Sequence, residues 1–103
     1  MSKFDNTYNS LLTEMPHVSL DLPSGKHIDF DLELEYIKTI EELEDLFNRI
    51  LSGEEIVTHR GNTYKLSTHE ERIAFLTEIR KYLEWYLEYK FNMSLISFLN
   101  SLS

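Results

Sequence analysis

The sequence contains no cysteine, only three glycines and only two prolines. The absence of cysteine excludes disulfide bonds, thiolate metal sites and a cysteine nucleophile. With 42% hydrophobic and 13% aromatic residues, the scarcity of glycine and proline also argues against a low-complexity or disordered chain. The 103 residues therefore predict one small domain, 1–103, whose core is held by packing alone.

Long apolar segments are missing as well. The apolar runs are only a few residues long, far below the roughly 20 that a membrane-spanning helix needs. The first 15 residues have no apolar segment behind a basic start, which is not the pattern of a signal peptide. We expect a cytoplasmic protein with no membrane partner.

Basic residues are few, 10 against 18 acidic ones, and the net charge is −8. This balance disfavours direct binding to a nucleic-acid backbone, which requires a basic surface. Residues 29–55 contain ten acidic and two basic residues and account for the whole net charge, while the other 76 residues are neutral overall. The acidity is therefore regional and predicts an anionic surface for a basic protein partner.

Helical spacing of apolar residues predicts several helices. The first covers about residues 2–15 and ends at Pro16. Helices over 40–51 and 69–91 each follow a capping-box pattern, Thr39 with Glu42 and Thr68 with Glu71. A last apolar stretch near 95–102 is either a short helix or the end of the long one.

Alternating apolar residues predict two hairpins. The first has strands at 17–22 and 26–36 around a turn at 23–25. In the second, a two-residue turn at 61–62 would pair His59 with Tyr64 and Val57 with Leu66, all on one face. The predicted fold is α+β in the order α-β-β-α-β-β-α, with two small sheets on the helices. It divides into 1–38, 39–91 and the apolar segment 92–103.

Seven acidic side chains are candidate partner-binding residues. If the second strand runs to Tyr36, four of them lie on one of its faces, and three follow on the next helix: Asp29, Asp31, Glu33, Glu35, Glu41, Glu44 and Asp45. A solvated face that protects an edge strand is the simpler interpretation of the strand residues. The alternative is a binding surface for a basic protein, with attraction that weakens in salt.

The long helix also carries a band of aromatic residues, namely Tyr82, Trp85, Tyr86 and Tyr89. Such a band is more often core than interface in a small protein. Tyrosine and tryptophan beyond the capacity of the core would be good anchors for a partner. We therefore include these residues among the candidate binding residues.

No pattern typical of catalysis is present. His27 and Asp29 have the spacing of two ligands of an iron site, but no third ligand can be assigned and the chain is too short for the barrel that houses such sites. His59 and His69 are the other two candidate metal ligands, and both have simpler explanations. We expect His59 to pack against Tyr64, and His69 to lie in the first turn of a helix. We predict a protein that is not an enzyme, with no cofactor and no metal.

The central segment, residues 39 to 89, resembles the head–tail joining protein W (gpW) family of tailed phages. The similarity rests on Gly53 closing a helix, the Ile-Val and Tyr-Lys-Leu strands at 56–57 and 64–66, and Ile-Arg-Lys-Tyr at 79–82. It covers about half the chain. The resemblance implies a helix-hairpin-helix segment and a role in virion assembly.

Two functions from different classes follow. The first is a phage or mobile-element accessory protein that binds and inhibits a basic host protein that handles nucleic acid, as anti-CRISPR and anti-restriction proteins do. The alternative is a gpW-like virion component that assembles through the long helix and the C-terminal apolar stripe. An antitoxin or immunity protein is a third hypothesis, which composition does not separate from the first.

Overall fold

Local sequence patterns account for most of the secondary structure. The computed structural model describes residues 17–102, and the predicted helix at 2–15 lies outside them. In chain order the elements are β1 (His17–Asp21), β2 (His27–Asp31), a 3₁₀ helix (Leu34–Tyr36), α1 (Ile40–Leu51), β3 (Ile56–Val57), β4 (Thr63–Tyr64), α2 (His69–Phe91) and α3 (Leu95–Ser101). The mixed α+β class is confirmed, and from β1 onward the order of strands and helices agrees with the prediction.

The helices begin and end at the predicted residues. Thr68 and Glu71 form the full capping box at the start of α2, and Asn92 ends that helix in a left-handed conformation. At α1 the cap is only half a box, since Thr39 accepts the backbone N–H of Glu42 and also donates its hydroxyl to the Glu42 carboxylate. Ser94 caps α3, which is a separate short helix.

The second strand is shorter than predicted. β1 and β2 pair antiparallel from Asp21 opposite His27 to His17 opposite Asp31, and no other strand of residues 17–102 continues this pairing. The Leu34 N–H donates to the Leu32 carbonyl at 2.7 Å around Glu33, whose φ of −76° and ψ of 66° form an inverse γ-turn. The strand therefore ends at Asp31 and not at Tyr36.

The second hairpin has a different register from the prediction. Its pairs are Ile56 with Tyr64 and Val57 with Thr63. Gly61, with φ +87°, donates to the Thr58 carbonyl and the Thr58 N–H donates to Asn62, so the loop has three residues instead of two. This alternative turn leaves Val57 and the loop residue His59 exposed, while Tyr64 is buried.

One hydrophobic core joins all these elements. The Phe47 ring of α1 lies between Phe75 of α2 and Phe98 of α3, with ring centroids 5.7 and 5.2 Å away. Phe30 of β2 stacks on Tyr64 of β4 at 4.1 Å. This stack holds the two hairpins side by side, so the end of β2 and the second hairpin both lie next to α1.

Candidate functional site

An acidic groove lies between the end of β2, the 3₁₀ helix, α1 and the second hairpin. Its volume is about 530 Å³, and its walls include the apolar side chains of Ile37, Leu46 and Ile56. Five carboxylates line it: Asp31, Glu33, Glu41, Glu42 and Asp45. We call this feature the acidic groove.

Helix α1 supplies three of the five carboxylates. Asp45 lies four residues after Glu41 and three after Glu42, and both spacings place side chains next to each other on a helix surface. Arg49 follows on the same side and is the only lysine or arginine among the described residues lining the groove. Its Nε lies 3.4 Å from a Glu54 carboxylate oxygen, so this arginine already has an acidic partner.

Glu33 holds the second hairpin in place. Its side chain is only 10% exposed and accepts the backbone N–H of His59 at 2.7 Å, with the His59 ring Nδ1 3.3 Å from the same oxygen. The His59 ring stacks on Tyr36 at a centroid distance of 3.9 Å. The prediction that His59 packs against Tyr64 is wrong, because the three-residue turn places it beside the 3₁₀ helix.

Asp29 and Asp31 belong to a second arrangement, on the exposed face of the β1–β2 sheet. Asp29 lies between two imidazoles, 3.2 Å from His17 Nε2 and 2.7 Å from His27 Nε2. The other ring nitrogens also face carboxylates, His17 Nδ1 at 3.2 Å from Asp31 and His27 Nδ1 at 2.6 Å from Asp21. We call these five residues the His–Asp array.

Hydrogen bonding within the array changes the pKa of His17, His27 and Asp29. Hydrogen bonds to Asp31 and Asp29 raise the pKa of His17, and hydrogen bonds to Asp21 and Asp29 raise the pKa of His27. Hydrogen bonding by Ser19 and His27 lowers the pKa of Asp29. The electrostatics of this face therefore favour charged histidines next to charged aspartates.

The predicted row of four carboxylates on one strand face is not formed. The chain turns at Glu33, so Glu35 lies in the 3₁₀ helix, outside the acidic groove, as Glu44 on α1 also does. Burial of Tyr82 raises its pKa to about 12, and the negative charge of Glu35 is the second, smaller cause of this shift. Glu42 lines the groove and was not among the candidates, although its spacing from Asp45 could have identified it.

The aromatic band on α2 divides between core and surface. Tyr86 is fully buried and donates its hydroxyl to the Leu34 carbonyl at 3.1 Å, so the prediction that it belongs to a binding surface is wrong. Its position on the inner side of α2 brings it against the 3₁₀ helix. Trp85 stacks on the half-exposed Tyr89 at 5.4 Å and lies 5.6 Å from Tyr82. These three form an aromatic cluster separate from the acidic groove.

Within residues 17–102, no three or more histidine, aspartate or glutamate side chains are arranged to hold a metal ion. In the same range, no helix combines the length and the apolar character needed to cross a bilayer.

A comparison of the chain with protein-family models, curated proteins and solved structures finds no match. The resemblance to the gpW family therefore stays a prediction.

Proposed function

We propose that the protein is a non-enzymatic binding module that holds a basic segment of a partner protein in the acidic groove. The observation that supports this most is that five carboxylates from separate parts of the chain line one groove, and that Arg49, the only arginine among its described lining residues, is paired with Glu54. Like charges that line one groove repel, and a cation between them relieves that repulsion.

The groove also suits the shape of basic side chains. Lysine and arginine have apolar stems, which can lie on apolar walls such as Ile37 and Leu46 while the charged ends reach carboxylates. Electrostatic attraction of this kind speeds association and weakens with salt. The class of partner that we propose is a host protein with a basic site for nucleic acid, which this phage or mobile-element protein would inhibit.

Neutralising the groove is expected to weaken partner binding about tenfold or more, equivalent to about 1.4 kcal/mol. The variant is Glu41→Gln/Glu42→Gln/Asp45→Asn, which removes three charges and leaves Glu33 to hold the hairpin. The partner is first identified by copurification from the native host with mass spectrometry. Its dissociation constant is then measured with both proteins pure, at two salt concentrations.

The matched control is Glu78→Gln/Glu84→Gln/Glu88→Gln, which removes three charges from exposed positions on α2. The net charge is the same in both variants, so only the position of the charge differs. Equal affinity of the two variants for the partner would contradict a specific role of the groove. Copurification that recovers no basic protein would contradict the proposed class of partner.

A second candidate function is virion assembly, and one feature of α3 favours it. Ile96 is 73% exposed and Leu99 is 39% exposed, so the C-terminal helix presents apolar side chains to solvent. This candidate predicts concentration-dependent oligomers in sedimentation velocity, which Ile96→Lys/Leu99→Lys should dissociate. A monomer at every concentration would argue against it.

A further inference from the structure

The His–Asp array places a carboxylate oxygen beside every ring nitrogen of two histidines. Both nitrogens of His27 have one within 2.7 Å, and both nitrogens of His17 have one at 3.2 Å. Three of the four contacts cross between the strands, since His17 and Asp21 lie on β1 and their partners lie on β2. The fourth contact, His27 with Asp29, lies within β2. The array therefore connects the two strands along the whole length of their pairing.

The protonation state of each imidazole ring decides whether the ring and its two carboxylates attract each other. A neutral imidazole has a single N–H, and its other nitrogen carries a lone pair. With a carboxylate at each nitrogen, a neutral ring would point that lone pair at an anion. Only the doubly protonated ring donates a hydrogen bond on both sides, and such charge-assisted bonds are the strong ones.

We propose that the His–Asp array is a pH-sensitive clamp on the β1–β2 sheet, closed while His17 and His27 are protonated and loosened when they lose their protons. Both rings are about half exposed, so protons exchange with solvent without any opening of the core. The inference does not depend on what the acidic groove binds.

The neighbouring charged groups do not compensate for the positive charge that His17 and His27 lose on deprotonation. Arg60, from the second hairpin, lies 3.7 Å from Asp31, and its side chain is 75% exposed. Lys26, at the turn before β2, is paired at 3.1 Å with the buried Glu71 of α2. The array together with Arg60 has no net charge when both histidines are protonated, and two negative charges when neither is.

The direction of the effect follows from the raised pKa of both histidines. A pKa that is higher in the folded than in the unfolded state stabilises the fold fully below the unfolded value, about 6.5 for histidine. That stabilisation is lost as the pH rises through the folded-state pKa values. Deprotonation of His17 also removes one of the two positive charges next to Asp31, which lines the acidic groove, and leaves that of Arg60.

An NMR titration of the imidazole resonances tests the clamp directly. In the wild-type protein, we expect His17 and His27 to titrate with midpoints above 6.5. Asp29→Asn should lower both midpoints, because Asp29 contacts both rings. Midpoints at or below 6.5 in the wild-type protein, or no response of either ring to Asp29→Asn, would overturn the proposal.

Thermal unfolding followed by circular dichroism tests its consequence for the fold. Between pH 6 and pH 9, we expect the midpoint temperature of the wild-type protein to fall further than that of Asp29→Asn. Glu78→Gln is the control, since it removes one negative charge from an exposed position on α2 outside the array. It should keep the wild-type pH dependence. The same pH dependence in all three proteins would show that the array does not contribute to stability.

Discussion

Phe47→Ala is expected to lower the free energy of unfolding by about 3–5 kcal/mol. The Phe47 side chain is fully buried, and its ring touches both Phe75 of α2 and Phe98 of α3. Removing it leaves a cavity at the only point where these three helices share an aromatic contact among the described residues. Since small domains are stable by about 5–15 kcal/mol, this is a large fraction of the total.

Urea unfolding followed by circular dichroism measures this loss. Ile96→Ala is the control, because its side chain is 73% exposed and we expect a change within about 0.5 kcal/mol. Phe47→Leu keeps most of the volume and should lie between the two. A loss below about 1 kcal/mol for Phe47→Ala would mean that the three-ring contact does not hold the helices together.

Gly53→Ala is expected to cost about 2–3 kcal/mol, for two separable reasons. Gly53 follows α1 with φ +83°, and a side chain in that left-handed conformation costs about 1–2 kcal/mol. In addition, a Cβ atom at this position would be 2.6 Å from the Arg72 guanidinium. That group donates hydrogen bonds to the Leu66 and Ser67 carbonyls at 3.0 Å, and the added methyl group would displace it.

Gly61→Ala separates the two reasons. Gly61 has a similar φ of +87°, but a Cβ atom there would meet nothing within 4 Å, so we expect only the conformational cost of about 1–2 kcal/mol. Both variants are compared with wild type by urea unfolding. Equal losses would show that Arg72 moves without cost. In a protein that already carries Arg72→Ala, we expect Gly53→Ala to lower the free energy of unfolding by no more than Gly61→Ala lowers it in the wild-type protein.

The helices were predictable because their signals are local. The apolar spacing of α1 and α2 and their threonine caps lie within the segments that they describe, and the predicted bounds 40–51 and 69–91 agree with the structure. The first hairpin was also predictable, except for its end. Alternation continued past Asp31 in the sequence, but the inverse γ-turn at Glu33 redirects the backbone, so the strand does not continue.

The second hairpin shows a different limit. A Gly-Asn pair fits a two-residue turn, and it equally fits the glycine position of a three-residue loop. The choice between them depends on which residues reach the core, and Ile56 and Tyr64 are buried there while Val57 is not. The position of Tyr86 was also undecided by local sequence, since its spacing on α2 was compatible with either the surface or the core.

The sequence alone determined that the net negative charge comes from residues 29–55 of an α+β domain with two hairpins and a long helix. Only the tertiary structure decided how those charges are grouped. The predicted row of carboxylates is broken at Glu33, which lines the acidic groove, while Asp29 and Asp31 belong to the His–Asp array and Asp31 also lines the groove. The reason is physical: helix and strand periodicity is a property of neighbouring residues, whereas the groove forms from packing between distant segments. Its electrostatics depend on distances that local sequence does not contain.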